Sequence, residues 1–107
     1  LLQVNIAGEE QKYGTSREEF DRLLESATAA SFLQVRGLMV MPPFSDNPED
    51  SRPYFRALRR MSEEYTENLS GDGDLVELSM GMTADFEVGI EEGATLVRVG
   101  TAIFGAR

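Results

Sequence analysis

The sequence contains no histidine and no cysteine. Their absence excludes Ser-His-Asp and Cys-His nucleophile systems and every metal site that depends on histidine or cysteine ligands. Carboxylates, hydroxyls, arginines, tyrosines and a single lysine, Lys12, remain to carry chemistry. A chain without cysteine is compatible with a reducing compartment.

Positive charge is also scarce, with 10 lysines and arginines against 19 acidic residues and a net charge of −9. This balance opposes binding to a polyanion such as nucleic acid or an anionic membrane surface. No apolar run approaches the roughly 20 residues of a membrane span, and no charged and then apolar leader opens the sequence. We therefore expect a soluble, cytoplasmic protein, with neither nucleic acid nor a membrane as a partner.

Apolar segments alternate with amphipathic ones along the chain. The predicted strands cover 2–6, 32–41, 75–78 and 95–104, and the predicted helices cover about 16–30, 53–68 and 83–93. The order β-α-β-α-β-α-β implies parallel strands joined by right-handed crossovers. It amounts to about half of a (β/α)₈ barrel. Residues 1–107 are therefore predicted to form one partial α/β domain, a fragment or processed half of something longer.

Residues at the predicted helix ends support these boundaries. Ser16 stands three residues before Glu19, which is the spacing of a capping box. Thr83 is predicted to cap the third helix, and Gly93 is predicted to end it. Gly89 is the exception, because a glycine inside a helix costs about 1 kcal/mol against alanine.

Two small-residue turns are predicted after successive apolar strands, at Ser79–Met82 and at Gly100-Thr101. In parallel α/β architectures the N–H groups of such turns point to one mouth of the sheet, where they hold an anion. Ser79 and Thr101 would donate hydroxyls, and Gly81 and Gly100 would allow close approach of the amides. The alternative is that the first turn only lets a strand bend into a helix.

Arg98 lies in an otherwise apolar strand, two residues before Gly100. An unpaired buried guanidinium costs several kcal/mol, so Arg98 must be paired or must face a ligand. One interpretation is an ion pair with an acidic residue such as Glu77. The other is an arginine at the barrel mouth that faces an anion or a cofactor ring.

Four motifs are spread over essentially all of the chain: Asn5-Ile6-x-Gly-Glu-x-x-Lys12-x-Gly14, Arg36-Gly37-Leu38-Met39, Leu78-Ser79-Met80-Gly81-Met82-Thr83-x-Asp85-Phe86 and Val97-Arg98-Val99-Gly100-Thr101-Ala102-Ile103-Phe104-Gly105. Taken together and in this order, they resemble the carboxy-terminal half of the pyridoxal phosphate homeostasis proteins. That family is itself similar to the amino-terminal barrel of alanine racemase.

The resemblance implies a (β/α)₈ barrel that holds pyridoxal 5′-phosphate at its carboxyl mouth without known turnover. Ser79, Gly81 and the Gly100-Thr101 turn would grip the phosphate, and Arg98 would approach the pyridine nitrogen. Lining residues of the same pocket would be Asn5 and Met39, both near the ends of strands, although either could be ordinary barrel packing.

The chain departs from the family at the lysine that links covalently to the cofactor. That lysine belongs to the family's first strand, in a half that is absent from this sequence. Lys12 matches a loop lysine instead. We expect a non-catalytic binding protein that pairs with the missing amino-terminal half or with a second copy. The alternatives are a racemase-like or phosphosugar-handling enzyme and a half-barrel without a ligand.

Overall fold

The computed structural model describes residues 1–6, 8, 14–68 and 76–105, without the side chains of 67 and 68. Its elements are β1 Leu2–Gln3, α1 Phe20–Ala29, β2 Gly37–Met39, a 3₁₀ helix Pro48–Ser51, α2 Arg52–Asn68, β3 Glu77–Met82, α3 Phe86–Glu91, β4 Leu96–Arg98 and α4 Thr101–Phe104. All four strands are parallel and lie in the order β1-β2-β3-β4. Each strand neighbours its successor, as in a (β/α)₈ barrel, so the predicted fold class is confirmed.

The sheet packs its helices against one face. Leu2, Leu38 and Leu78 are aligned across the strands, and the last two are buried. The core between this face and helices α1, α2 and α3 is completed by Val4, Val40, Met80, Phe20, Leu24, Phe55, Leu58, Met61 and Val88. Helix packing therefore explains the apolar periodicity of the sequence.

The opposite face of the sheet carries the alternate row of residues, because successive side chains of a strand point to opposite sides. This row is Gln3, Met39, Ser79 and Leu96. Met39 is half-buried, whereas Leu96 is 46% exposed. In a complete barrel this face would point inward.

The prediction of a turn at Ser79–Met82 is wrong, because these residues belong to β3. Strand β3 pairs with β2 up to Ser79, and its register against β4 then shifts between Ser79 and Met82. Gly81 has a φ of +114° at this irregularity. The small residues therefore bend the strand before it ends.

The prediction that the last strand reaches residue 104 is also wrong. Strand β4 ends at Arg98, whose partner is Met82, the final residue of β3. Since the neighbouring strand ends there, the chain turns at Gly100 and forms the short helix α4. The exposed side chains of Ile103 and Phe104 lie in this helix.

Other boundaries are shorter than predicted. Strand β1 ends at Gln3, although Val4 still forms an isolated bridge with Thr15. Strand β2 begins at Gly37, and Phe32 is 99% exposed. Helix α1 begins at Phe20, after Ser16 Oγ has accepted a hydrogen bond from the Glu19 amide. Apolar composition alone overestimates strand length, because a strand extends only as far as its partner.

The glycine inside α3 has a packing reason. A Cβ at Gly89 would lie 2.6 Å from the carbonyl oxygen of Met80. The lack of a side chain therefore lets α3 approach the backbone of β3. The predicted role of Gly93 after the helix is confirmed, since it has a φ of +106° and donates its amide to Ile90.

Glu92 joins α3 to α2 through arginines. Its side chain is 6% exposed, and its Oε2 forms ion pairs with Arg52 Nη1 at 2.7 Å and Arg56 Nη2 at 3.1 Å. Arg52 also contacts Glu49 at 2.7 Å and Glu91 at 2.6 Å. Hydrogen bonds from Arg56 and then Arg52 lower the pKa of Glu92 to about 2, against an ordinary value of 4.5.

We expect Glu92→Gln to destabilise the fold by about 2 kcal/mol, the scale of hydrogen bonds to a charged group. Because the folded pKa is depressed, the contribution of Glu92 is present above pH 4.5 and is lost as pH falls through about 2. Urea unfolding at neutral and at low pH measures both effects. The control is Glu63→Gln, since Glu63 is 65% exposed and lies 3.9 Å from Arg59. Equal unfolding free energies for the two variants at neutral pH would contradict the prediction.

Among the described residues, no helix combines the length and the apolar character needed to cross a membrane.

Candidate functional site

The carboxyl ends of the four strands meet at one edge of the sheet, because the strands are parallel. The residues predicted to bind a ligand lie at or just beyond these ends. Met39 ends β2 and Arg98 ends β4, while Asn5 lies two residues past β1. Gly100 and Thr101 follow β4 directly. The fold therefore gathers most of the predicted site at this edge.

Ser79 and Gly81 lie inside β3 rather than in a turn. Ser79 is 4% exposed and is aligned with Met39 on one side and Leu96 on the other. It is thus in the row of residues opposite the helices. Its contact with a phosphate stays a prediction.

The two glycines of the predicted site have different surroundings. A Cβ at Gly81 would lie 3.0 Å from Phe86 Cα and 3.4 Å from Val97 Cγ1, so packing and the positive φ both favour glycine there. At Gly100, no heavy atom of the described residues, apart from the two chain neighbours, lies within 4 Å of the Cβ position. A ligand approaching the Gly100 amide would therefore meet no packed side chain at that position.

Thr83 connects the ends of the last two strands. Its Oγ1 accepts hydrogen bonds from the amides of Gly100, at 3.1 Å, and Ala102, at 3.3 Å. The prediction that Thr83 caps α3 is wrong, since Asp85 occupies that capping position. These amides lie where the sequence predicts anion binding, and a hydroxyl oxygen already lies between them. The sequence offered one signal for this role, a hydroxyl residue immediately after a strand.

Arg98 carries two buried guanidinium nitrogens, Nε and Nη2, that have no hydrogen-bond partner among the described residues. The interpretation that Glu77 pairs with Arg98 is wrong, because these two described side chains form neither an ion pair nor a hydrogen bond; the Glu77 carboxylate accepts a hydrogen bond from Thr95 Oγ1 at 2.9 Å. A buried donor without an acceptor lowers the stability of the fold. The two free nitrogens therefore indicate a position at which a ligand acceptor would bind.

Asn5 is held by its backbone next to this edge. Its amide donates to the Thr15 carbonyl at 2.8 Å, and its carbonyl accepts from Gly8 at 3.3 Å. Lys12 lies outside the described residues. The described part of the chain contains no group of three or more acidic side chains that could hold a metal ion.

The chain is similar to known proteins over its whole length. All 107 residues match the family model described as alanine racemase, N-terminal domain. Curated pyridoxal phosphate homeostasis proteins are 49% identical in Aquifex aeolicus and 39% in Homo sapiens. Each match covers 100% of this chain but only 46% and 40% of the relative, so the chain spans about half the length of these proteins.

Solved structures show the same arrangement of elements. The crystal structure of an unknown protein from Bifidobacterium adolescentis superposes with a TM-score of 0.83 at 36% identity. The match covers 97% of this chain and 42% of the Bifidobacterium chain. PipY of Synechococcus elongatus, solved with pyridoxal phosphate bound, superposes with a TM-score of 0.81 at 31% identity. The match covers 97% of this chain and 47% of the PipY chain.

Proposed function

The chain belongs to the alanine racemase N-terminal domain family, and from this membership we propose that it is part of a pyridoxal 5′-phosphate-binding protein of vitamin B6 homeostasis, without catalytic turnover. The names of the curated relatives and the ligand of PipY support this proposal. The order of the four motifs supports the further proposal that residues 1–107 are the carboxy-terminal half of the barrel. A cytoplasmic location stays a prediction from composition.

The unpartnered nitrogens of Arg98 are the observation that carries the proposal. They lie at the carboxyl end of β4, the edge at which parallel barrels bind ligands. A pyridine nitrogen that carries no proton is an acceptor of the kind these donors lack. The residues present therefore fit the cofactor.

The positive charge of Arg98 also bears on chemistry. When bound, pyridoxal phosphate supplies an aldehyde that reacts with amines and a ring that withdraws electrons. A fixed cation beside the ring nitrogen opposes its protonation and so weakens that withdrawal. We propose that Arg98 favours holding the cofactor over using it in catalysis.

The phosphate would lie against the amides of Gly100 and Ala102, with Thr83 as a third polar neighbour. An incoming phosphate oxygen either replaces the Thr83 hydroxyl between these amides or accepts a hydrogen bond from it. We propose that Ser79, Gly81 and Thr101 complete this part of the site. Asn5 and Met39 would line the pocket beside the ring.

The test is titration of the full-length protein that contains this chain with pyridoxal phosphate, and with pyridoxal as the control without phosphate. We expect retention of the phosphorylated form and much weaker retention of pyridoxal. The 107-residue chain alone should give no stoichiometric borohydride-trappable adduct at a single site, since the family's linking lysine is absent. Failure of the full-length protein to bind pyridoxal phosphate would contradict the function, and a one-to-one adduct on Lys12 would give that lysine a role.

A racemase-like enzyme is the second candidate, favoured by the description of the family model. The absence of histidine and cysteine from this chain leaves few proton carriers here. Measurement of amino-acid racemisation by the full-length protein distinguishes the two functions. A half-barrel without a ligand would bind neither pyridoxal phosphate nor inorganic phosphate.

A further inference from the structure

Asp85 uses both of its carboxylate oxygens. Oδ1 accepts a hydrogen bond from the amide of Met82 at 2.8 Å, and Oδ2 accepts one from the hydroxyl of Ser51 at 2.6 Å. The Asp85 amide in turn donates to the Met82 carbonyl at 3.2 Å. Asp85 therefore links both ends of the turn between β3 and α3, since its side chain and its amide each form a hydrogen bond with Met82.

Thr83 lies inside this turn. Because Met82 and Asp85 are bonded to each other, the backbone on both sides of Thr83 is held. The Thr83 hydroxyl then reaches the amides of Gly100 and Ala102 on the neighbouring segment. The position of the turn thus sets where the Thr83 hydroxyl lies relative to these two amides, which we propose to contact the phosphate.

Ser51 anchors the turn to a distant part of the sequence. It is 4% exposed, at the end of the 3₁₀ helix that precedes α2, and it lies 34 residues from Asp85. A hydroxyl bonded to a carboxylate at this distance is a charge-assisted hydrogen bond, stronger than a neutral one. The hydrogen bond between Ser51 and Asp85 therefore links the segment after β2 to the turn after β3.

We infer that Ser51 and Asp85 are positioning residues for the anion site: they hold the turn that presents Thr83 to the amides of Gly100 and Ala102. This inference rests on the proposed function. Neither residue contacts the ligand in this role, and both act through Thr83.

The test measures pyridoxal phosphate affinity of the full-length protein as wild type, Ser51→Ala, Asp85→Asn, Thr83→Val and the double variant Ser51→Ala/Thr83→Val. We expect Ser51→Ala to weaken binding roughly fivefold, the effect of one hydrogen bond. Asp85→Asn keeps an acceptor for Met82, and we expect a loss of similar size. In the Thr83→Val background, Ser51→Ala should cause no further loss, because the hydroxyl that it positions is gone.

The matched control is Ser62→Ala. Ser62 is 5% exposed and donates only within α2, to the Arg59 carbonyl at 2.7 Å. Its removal deletes a comparable buried hydroxyl, and we expect affinity to stay unchanged. Amide NMR shifts of Gly100 and Ala102 in the ligand-free protein should move in Ser51→Ala and not in Ser62→Ala.

Three results would overturn the inference. Wild-type affinity in both Ser51→Ala and Asp85→Asn would show that the pair does not act on the site. An equal loss from Ser51→Ala with and without Thr83 would show that it acts by another route. A wild-type protein that binds no pyridoxal phosphate would overturn the proposed function itself, and the positioning role with it.

Discussion

Replacing Arg98 by leucine in the full-length protein should weaken pyridoxal phosphate binding roughly 10- to 100-fold, the range expected for losing charged hydrogen bonds. The same change should stabilise the ligand-free protein by about 1 kcal/mol, because it removes buried donors that lack partners. Weaker binding and higher stability are expected together because Nε and Nη2 of Arg98 are buried without an acceptor among the described residues. Titration and urea unfolding without ligand measure the two effects.

A suitable control for Arg98→Leu is Arg22→Leu, because Arg22 is exposed on α1 and has no buried nitrogen without a hydrogen-bond partner among the described residues. It should change neither affinity nor stability appreciably. If Arg98→Leu instead destabilised the ligand-free protein and left affinity unchanged, Arg98 would be a structural residue. The proposed contact with the cofactor ring would then be withdrawn.

The 107-residue chain alone should not sediment as a stable monomer. Strands β1 and β4 are the outer strands of the described sheet, and parallel sheets are normally covered on both faces and closed or capped at their edges. Leu96, on the face opposite the helices, is 46% exposed. We propose that the chain pairs with the amino-terminal half of the barrel, or with a second copy about a two-fold axis when that half is missing.

Sedimentation of the chain over a range of concentrations tests this assembly. Leu96→Asp should shift the chain toward monomer, since it places a charge on the open face. Leu23→Asp is the control, because Leu23 is 37% exposed on α1 and lies outside that face. A well-folded monomer of the unmodified chain at high concentration would contradict the prediction.

Much of the architecture could be predicted from local patterns. Apolar spacing in α1 and α2 identified helices whose Phe20, Leu24, Phe55 and Leu58 are buried. The alternation of strands and helices predicted the parallel sheet that the structure contains. These features follow from periodicity, because burial of one helical stripe needs only residues close in sequence.

The ends of the elements could not be predicted in the same way. Residues 99–104 are as apolar as a strand, yet β4 ends at Arg98 because β3 offers no partner beyond Met82. The turn expected at Ser79–Met82 became a bent strand for a similar reason, since β2 and β4 pair with it on both sides. Strand length depends on neighbours that lie far away in the sequence.

The sequence by itself determined the fold class, the family and the gathering of most predicted site residues at the carboxyl ends of the strands, because each depends on local pattern or motif. Only the tertiary structure decided which polar groups meet. Thr83 joins Gly100 and Ala102, and Ser51 reaches Asp85 across 34 residues. Two buried nitrogens of Arg98, in contrast, find no hydrogen-bond partner in the part of the chain that the structure describes. Hydrogen bonds depend on distance and direction in space, which the spacing of residues along a chain does not specify.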